Sequence, residues 1–223
     1  MERHFEKELN DLKATVVKMG IAVEESFIDS LTALFTKNAH LAKKVIASDS
    51  KINSFEILID NGVVDVLALQ QPVATDLRLI LAIQKINNDL ERIGDHAVNI
   101  AESALGLINA PEDETLLEIP QMADIAKEMF REAMGSFVQL DPKLAQFVLE
   151  SDDRIDTLNR AMITEVVRHI QKDLKGTEGY LHILRISRNL ERIADLTTNI
   201  AEEVIFHTQA RVVKHHAEEE KQK

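Results

Sequence analysis

Apolar positions recur every three or four residues through most of the chain, the spacing of one face of an α-helix. Phe5, Leu9, Leu12, Val16, Met19, Val23, Phe27, Leu31 and Leu34 form the first such stripe, with nearly coiled-coil intervals. A turn near Asn38 leads into a second helical segment, about residues 41–69, and Pro72 separates it from a third. Thr75 or Asp76 is the expected cap of that third helix, which runs to about residue 108. The stretch 109–115 is polar and contains a proline, so it reads as a linker. A shorter helix follows over about 121–140, and Asp141-Pro142 has the form of an N-cap with a first-turn proline. A fifth helix is expected to about residue 174 and a sixth from about 178 to 213. The final residues, 215–223, are polar and read as a tail.

The chain also repeats itself. At a spacing of 103, Val45-Ile-Ala-Ser-Asp-Ser-Lys-Ile-Asn53 matches Val148-Leu-Glu-Ser-Asp-Asp-Arg-Ile-Asp156, and Met19 and Phe27 align with Met122 and Phe130. At a spacing of 100, Leu90-Glu-Arg-Ile-Gly-Asp95 matches Leu190-Glu-Arg-Ile-Ala-Asp195, and Asn99-Ile-Ala-Glu102 matches Asn199-Ile-Ala-Glu202. The change of offset places a three-residue deletion near Gly176 and Gly179, opposite Gln70-Gln-Pro72. Helices joined by short turns pack antiparallel. The expected fold is therefore all-α: two tandem, sequence-related antiparallel three-helix bundles, at 1–109 and 116–214, followed by the tail.

Composition narrows the function. Aromatics are only 4% of the chain, with 7 Gly and 4 Pro, too few turn and strand formers for a sandwich or barrel. The net charge of −12 opposes binding to a phosphate backbone, so no nucleic-acid partner is expected. The absence of Cys excludes disulfides, thiolate metal sites and Cys nucleophiles. The charged start, Met1-Glu-Arg-His-Phe-Glu, lacks a signal-peptide apolar segment, and no apolar run approaches the roughly 20 residues of a bilayer span. A cytoplasmic chain without membrane insertion is the expectation.

The third and sixth helices carry the candidate chemistry. At 100° per residue, Gln84, Asn88, Asp95, Asn99 and Glu102 fall on the side of Glu91, opposite Ile83, Ile86, Ile93, Ala97 and Ile100. Glu191, Asp195, Asn199 and Glu202 repeat this arrangement. The carboxylates should thus line an outer face, not the core. Asp152 and Asp156 form a further pair on the fifth helix, where the second helix has Asp49 and Asn53. Like charges one turn apart destabilise a helix by a few tenths of a kcal/mol. Oxygen-rich sets of this kind suit hard cations such as Mg, Ca, Mn and iron. Solvated charge is the competing reading: Arg92 and Arg192 stand three residues before Asp95 and Asp195, and Arg188 three before Glu191.

No His has a Glu three residues before it, and there is no His-Glu-x-x-His, Walker loop or Gly-x-Ser-x-Gly. The pairs Glu165/His169, Glu178/His182 and Glu203/His207 read as surface pairs, and Tyr180 as packing. A metal-dependent enzyme built on the carboxylates and a metal-free helical scaffold stand as alternatives to a binding protein.

The repeated Leu-Glu-Arg-Ile-Gly/Ala-Asp…Asn-Ile-Ala-Glu resembles the signature of the PhoU family of phosphate-transport regulators. Pro72-Val-Ala-Thr-Asp-Leu-Arg78 and the two Ser-Asp-x-x-Ile-Asn/Asp blocks are similar as well. The resemblance spans nearly the whole chain. It implies two related three-helix bundles and a non-enzymatic negative regulator. It further implies metal cations, multinuclear iron in particular with Mg, Mn or Zn as other candidates, on the repeated motifs. The ligands it implies are Asp49, Glu91 and Asp95 in the first bundle and Asp152, Asp156, Glu191 and Asp195 in the second. Asn53 replaces an acid of the first motif, and Leu196 stands where the first repeat has His96. The implied partners are the ATPase of a phosphate ABC transporter and a phosphate-responsive sensor histidine kinase, met at the inner face of the membrane, with a homodimer frequent.

Overall fold

The computed structural model describes residues 2–108, 118–172 and 174–213. The predicted linker at 109–115 and the tail at 215–223 lie outside these. The described residues form six α-helices: α1 (Glu2–Phe35), α2 (Ala39–Gln70), α3 (Ala74–Leu107), α4 (Ile119–Gln139), α5 (Pro142–Lys172) and α6 (Thr177–Gln209). A 3-10 turn, Leu174–Gly176, joins α5 to α6. It stands opposite the α2–α3 turn, where the two repeat offsets place the deletion.

Local chemistry sets most ends. Asn38 caps α2 by accepting from the Leu41 N–H (3.0 Å). Asp141 caps α5, its Oδ1 accepting from the Lys143 N–H (2.8 Å), with Pro142 as first helical residue. The start of α3 differs from expectation. Its cap is Val73, in extended conformation and without a side-chain bond, while the Thr75 hydroxyl accepts from Arg78 instead. The turn is made by placing Gln71 and Ala74 in the left-handed region (φ 48° and 49°), which costs a non-glycine residue about 1 kcal/mol each. Ala210 does the same at the end of α6, donating its N–H to the Phe206 carbonyl and stopping the helix four residues before the expected 213.

Helix α1 packs on α2 and α3, and α4 on α5 and α6. The repeat is visible in the core: Met19 and Met122, Phe27 and Phe130, Ile86 and Ile186, Ile93 and Ile193 are all fully buried. Burial of each such side chain contributes about 1.5–3 kcal/mol. Gly94 lets α2 approach closely, since a Cβ there would lie 3.0 Å from Ile52 Cδ1.

The two bundles join along α3 and α6, and this seam is polar as well as apolar. Lys85 Nζ pairs with Glu203 Oε1 (2.7 Å), and Arg185 donates to Asn99 (2.7 Å) and Glu102 (2.8 Å). The amide of Asn189 donates to the Arg185 carbonyl, so its oxygen faces His96 Nδ1 (2.8 Å), which holds the proton there. Arg78 Nε donates to the His207 carbonyl at the end of α6 (3.4 Å), and Lys13 Nζ to the Val138 carbonyl in the last turn of α4 (3.2 Å). Two of the three predicted Glu-x-x-x-His surface pairs, Glu165/His169 and Glu203/His207, are therefore corrected. Glu203 and His207 are buried in the seam, Glu165 pairs with Arg168 (3.0 Å), and His169 meets the Tyr180 hydroxyl (3.1 Å). His169 and Glu203 take partners from another helix, and Glu165 takes Arg168 one turn on in its own helix.

Candidate metal centre

Both carboxylate sets lie in grooves between two antiparallel helices, at α2/α3 and at α5/α6. Apolar residues on the opposite side of each helix are drawn into its bundle, which leaves the acidic line at the groove mouth. Glu91, Glu191, Asp49, Asp152, Asp156 and Asp195 are half-buried and Asp95 is exposed. The expected outer face is thus partly sheltered, because the neighbouring helix forms a wall. That shelter matters electrostatically: burial is the first cause raising the pKa of Glu91, Asp95, Asp152, Glu191 and Asp195.

The second bundle has the tighter set. Asp156, Glu191 and Asp195 each place a carboxylate oxygen within 4.8 Å of the others. Asp152 sits beside them. Burial, followed by the charges of Asp195, Asp156, Asp153 and Glu191, pushes its carboxyl up from 3.8 to about 6. Its Oδ1 is buried and finds no hydrogen-bond partner among the described residues. The one cation in contact among the described residues is Arg192, which reaches Asp195 at 3.1 Å and Glu191 at 3.7 Å. One guanidinium against four carboxylates leaves an excess of negative charge.

The first bundle differs. Asn53 Nδ2 donates to Asp49 Oδ2 (2.9 Å), so Asp49 is partly satisfied by an amide where the second bundle has a like charge. The buried Asp49 Oδ1 and Asn53 Oδ1 have no partner among the described residues. After burial, Glu91 is pushed up by Asp95, Glu56 and Asp49, and Asp95 by Asp49. Glu56 is a member that sequence reasoning missed. The signal was available, since Glu56 follows Asp49 by seven residues and shares its face of α2. Among the described residues no three carboxylates of this bundle converge as those of the second do. His96, the residue opposite Leu196, commits its Nδ1 across the seam to Asn189.

The donor sets fit a hard cation. They are carboxylate oxygens with buried, unpartnered members, and their mutual repulsion is what a bound cation relieves. The residues able to hold one are Asp152, Asp156, Glu191 and Asp195 in the second groove and Asp49, Glu56, Glu91 and Asp95 in the first.

A duplicated three-helix bundle with an acidic groove in each copy defines a class of helical-bundle protein. Comparison with known proteins places it further. The PhoU domain matches twice, over residues 16–104 and 119–204, and the chain belongs to the PhoU family. It is 38% identical over 215 residues to a phosphate-specific transport system accessory protein PhoU homolog of Aquifex aeolicus, covering 96% of this chain and 97% of that one. It is 31% identical to the accessory protein PhoU of Serratia marcescens, covering 95% and 87%. The crystal structure of PhoU from Pseudomonas aeruginosa superposes with a TM-score of 0.90 at 35% identity, covering 93% of this chain and all of that one. The phosphate transport system regulatory protein PhoU from Streptococcus pneumoniae gives 0.87 at 28%, covering 95% and 100%.

Proposed function

We propose that this chain is a non-enzymatic regulator of phosphate uptake and phosphate-starvation signalling. It acts in the cytoplasm at the inner face of the membrane, as an adaptor between the ATPase of a phosphate ABC transporter and a sensor histidine kinase. The observation that carries this reading is the whole-length likeness to proteins named as accessory to phosphate-specific transport. No described helix is long and apolar enough to cross a membrane, so membrane proximity rests on the partners. The six-helix body offers each partner a fixed surface, and its seam holds the bundles in one relative orientation.

In the same proposal, the two grooves bind hard cations, iron foremost, with Mg, Mn or Zn as competitors. A cation there supplies charge neutralisation. The chain's own residues do the rest: Asp156, Glu191 and Asp195 converge, Asp152 adds a fourth carboxylate, and Arg192 restrains two of them from the flank. The grooves then become acceptable to a partner that an uncompensated acidic patch would repel.

Affinity capture with the purified transporter ATPase and with the kinase tests the adaptor role. Both are expected to be retained, and deletion of the gene is expected to relieve phosphate-dependent repression. Capture of neither, with repression intact in the deletion strain, contradicts it.

A further inference from the structure

Arg92 and Arg192 hold the same place in the repeated Leu-Glu-Arg-Ile-Gly/Ala-Asp block, yet the fold uses them differently. Arg192 turns into the second groove, to Asp195 (3.1 Å) and Glu191 (3.7 Å). Arg92 has Asp95 at the same three-residue interval and Glu91 beside it, but makes no hydrogen bond or ion pair among the described residues. Its charge bears on Asp89 and His96 at the seam and on Glu91. The duplication thus supplies an internal control: the block permits the arginine to close on its own Asp, and in the first bundle it does not.

The bonds across the seam pair α3 with α6 in antiparallel register: Lys85 with Glu203, Asn199 with Asp89, Asn189 with His96 and Arg185 with Asn99. Residues 92 and 192 therefore stand on either side of the midpoint of that pairing, both exposed. Burial lowers the His96 pKa first, and Arg92 and Arg192 both lower it further, so the two guanidiniums approach one imidazole from different bundles. The cations farther along the seam are engaged, Lys85 by Glu203 and Arg185 by Asn99 and Glu102. Arg188, one turn before Arg192, has no hydrogen bond or ion pair among the described residues and adds to the positive field.

Arg192 is the only counter-charge that the described residues offer the second groove by contact, through an exposed pair of the kind that exchanges easily. A divalent cation held by Asp156, Glu191 and Asp195 takes over those carboxylates and leaves the guanidinium without a partner. Two unpaired guanidiniums on packed helices present planar donor forks, which match a tetrahedral oxyanion. The exposed or half-buried neighbours, Asn88, Asp95 and Asn99 on α3 and Arg188, Asp195 and Asn199 on α6, include no aromatic ring to receive a base, which favours a small anion over a nucleotide.

We propose that Arg92 and Arg192 form a seat for a free phosphate ion on the α3/α6 ridge, completed when a cation in the second groove releases Arg192. This rests on the second groove holding a cation. A phosphate so placed spans both bundles, and the metal and the anion each raise the affinity for the other by the same factor.

Equilibrium dialysis of the full chain against radiolabelled inorganic phosphate tests it, at fixed ionic strength, with the protein saturated with Mn2+ or in EDTA and with bound Mn2+ measured in the same samples. The Mn2+-loaded wild type is expected to bind a single phosphate per chain, and the protein in EDTA to bind it about tenfold more weakly or less. Arg92→Gln and Arg192→Gln should each retain Mn2+ and bind phosphate about tenfold more weakly, while Arg160→Gln, exposed on α5, should change neither. Mn2+ retained without phosphate, phosphate bound equally with Mn2+ and with EDTA, or phosphate bound equally by wild type and Arg92→Gln overturns the proposal and leaves the metal groove standing. No Mn2+ retained by the wild type overturns both.

Discussion

Substitution of Asp152 by Asn isolates the repulsion stored in the second groove. The carboxyl of Asp152 is pushed from 3.8 up to about 6, first by burial and then by Asp195, Asp156, Asp153 and Glu191. Each pKa unit is worth about 1.4 kcal/mol, so a fully sheltered group would oppose folding at neutral pH by about 3 kcal/mol. Asp152 is only half-buried, and solvent screening brings the figure to about 1 kcal/mol. Because the folded pKa lies above the unfolded one, the folded state holds the extra proton between the two values. The stability this confers is complete below 3.8 and is lost as pH rises through about 6. The substituted amide never ionises and is nearly the same size as the carboxyl it replaces. In chelator at pH 7.5, Asp152→Asn should therefore melt about 2–4 °C above wild type. The gap should narrow at pH 5, below the folded-state value of about 6, where wild-type Asp152 is mostly protonated. Thermal melts by circular dichroism read both effects. A variant that melts below wild type in chelator at pH 7.5, or a gap independent of pH, refutes the reasoning that these carboxylates repel one another across the groove.

Burial holds His207 below its ordinary value of 6.5, helped by Arg78 and Lys13 and opposed by Asp76, and its Nδ1 has no partner among the described residues. Its folded pKa lies below the unfolded one, so stability is lost as pH falls below about 6.5. His207→Gln should flatten the wild-type decline between pH 7 and 5 in urea titrations, and equal slopes would rule this out. Lys85→Ala leaves Glu203, 8% exposed, without its cation across the seam, and should cost about 1–3 kcal/mol by the same method. Adding Glu203→Gln should recover most of it, and no recovery would show that Lys85 acts through its aliphatic stem. Ile52→Ala removes the side chain that fills the approach at Gly94 and should cost about 2–5 kcal/mol, read as a shift in urea midpoint at constant slope.

The apolar stripes made the helices legible, because a 3.6-residue period over thirty residues has few competing explanations. The stripe from Leu12 to Leu34 is buried as its spacing requires, while Phe5 and Leu9 sit at the margin. The repeated blocks likewise made the duplicated architecture legible. Helix ends were harder where the chain used a backbone device with no marked residue: Ala74 and Ala210 take left-handed conformations usually signalled by Gly or Asn. The angular count separated the acidic line from the core but carried no information about the neighbouring helix, which is why the half-burial of Glu191 was invisible, while Glu56 was legible only through its seven-residue interval to Asp49. The seam was the least legible part. Glu203 and His207 look like any i,i+4 surface pair until α3 is laid against α6.

The central claim is that the paired grooves hold hard cations. Equilibrium dialysis against Mn2+ and, without oxygen, Fe2+, followed by elemental analysis, tests it most directly. Wild type should retain at least one cation per chain, and Glu191→Gln with Asp195→Asn should lose the cation of the second groove while folding normally. Retention of the same number of cations by wild type and the double variant, or of none by either, would contradict the account.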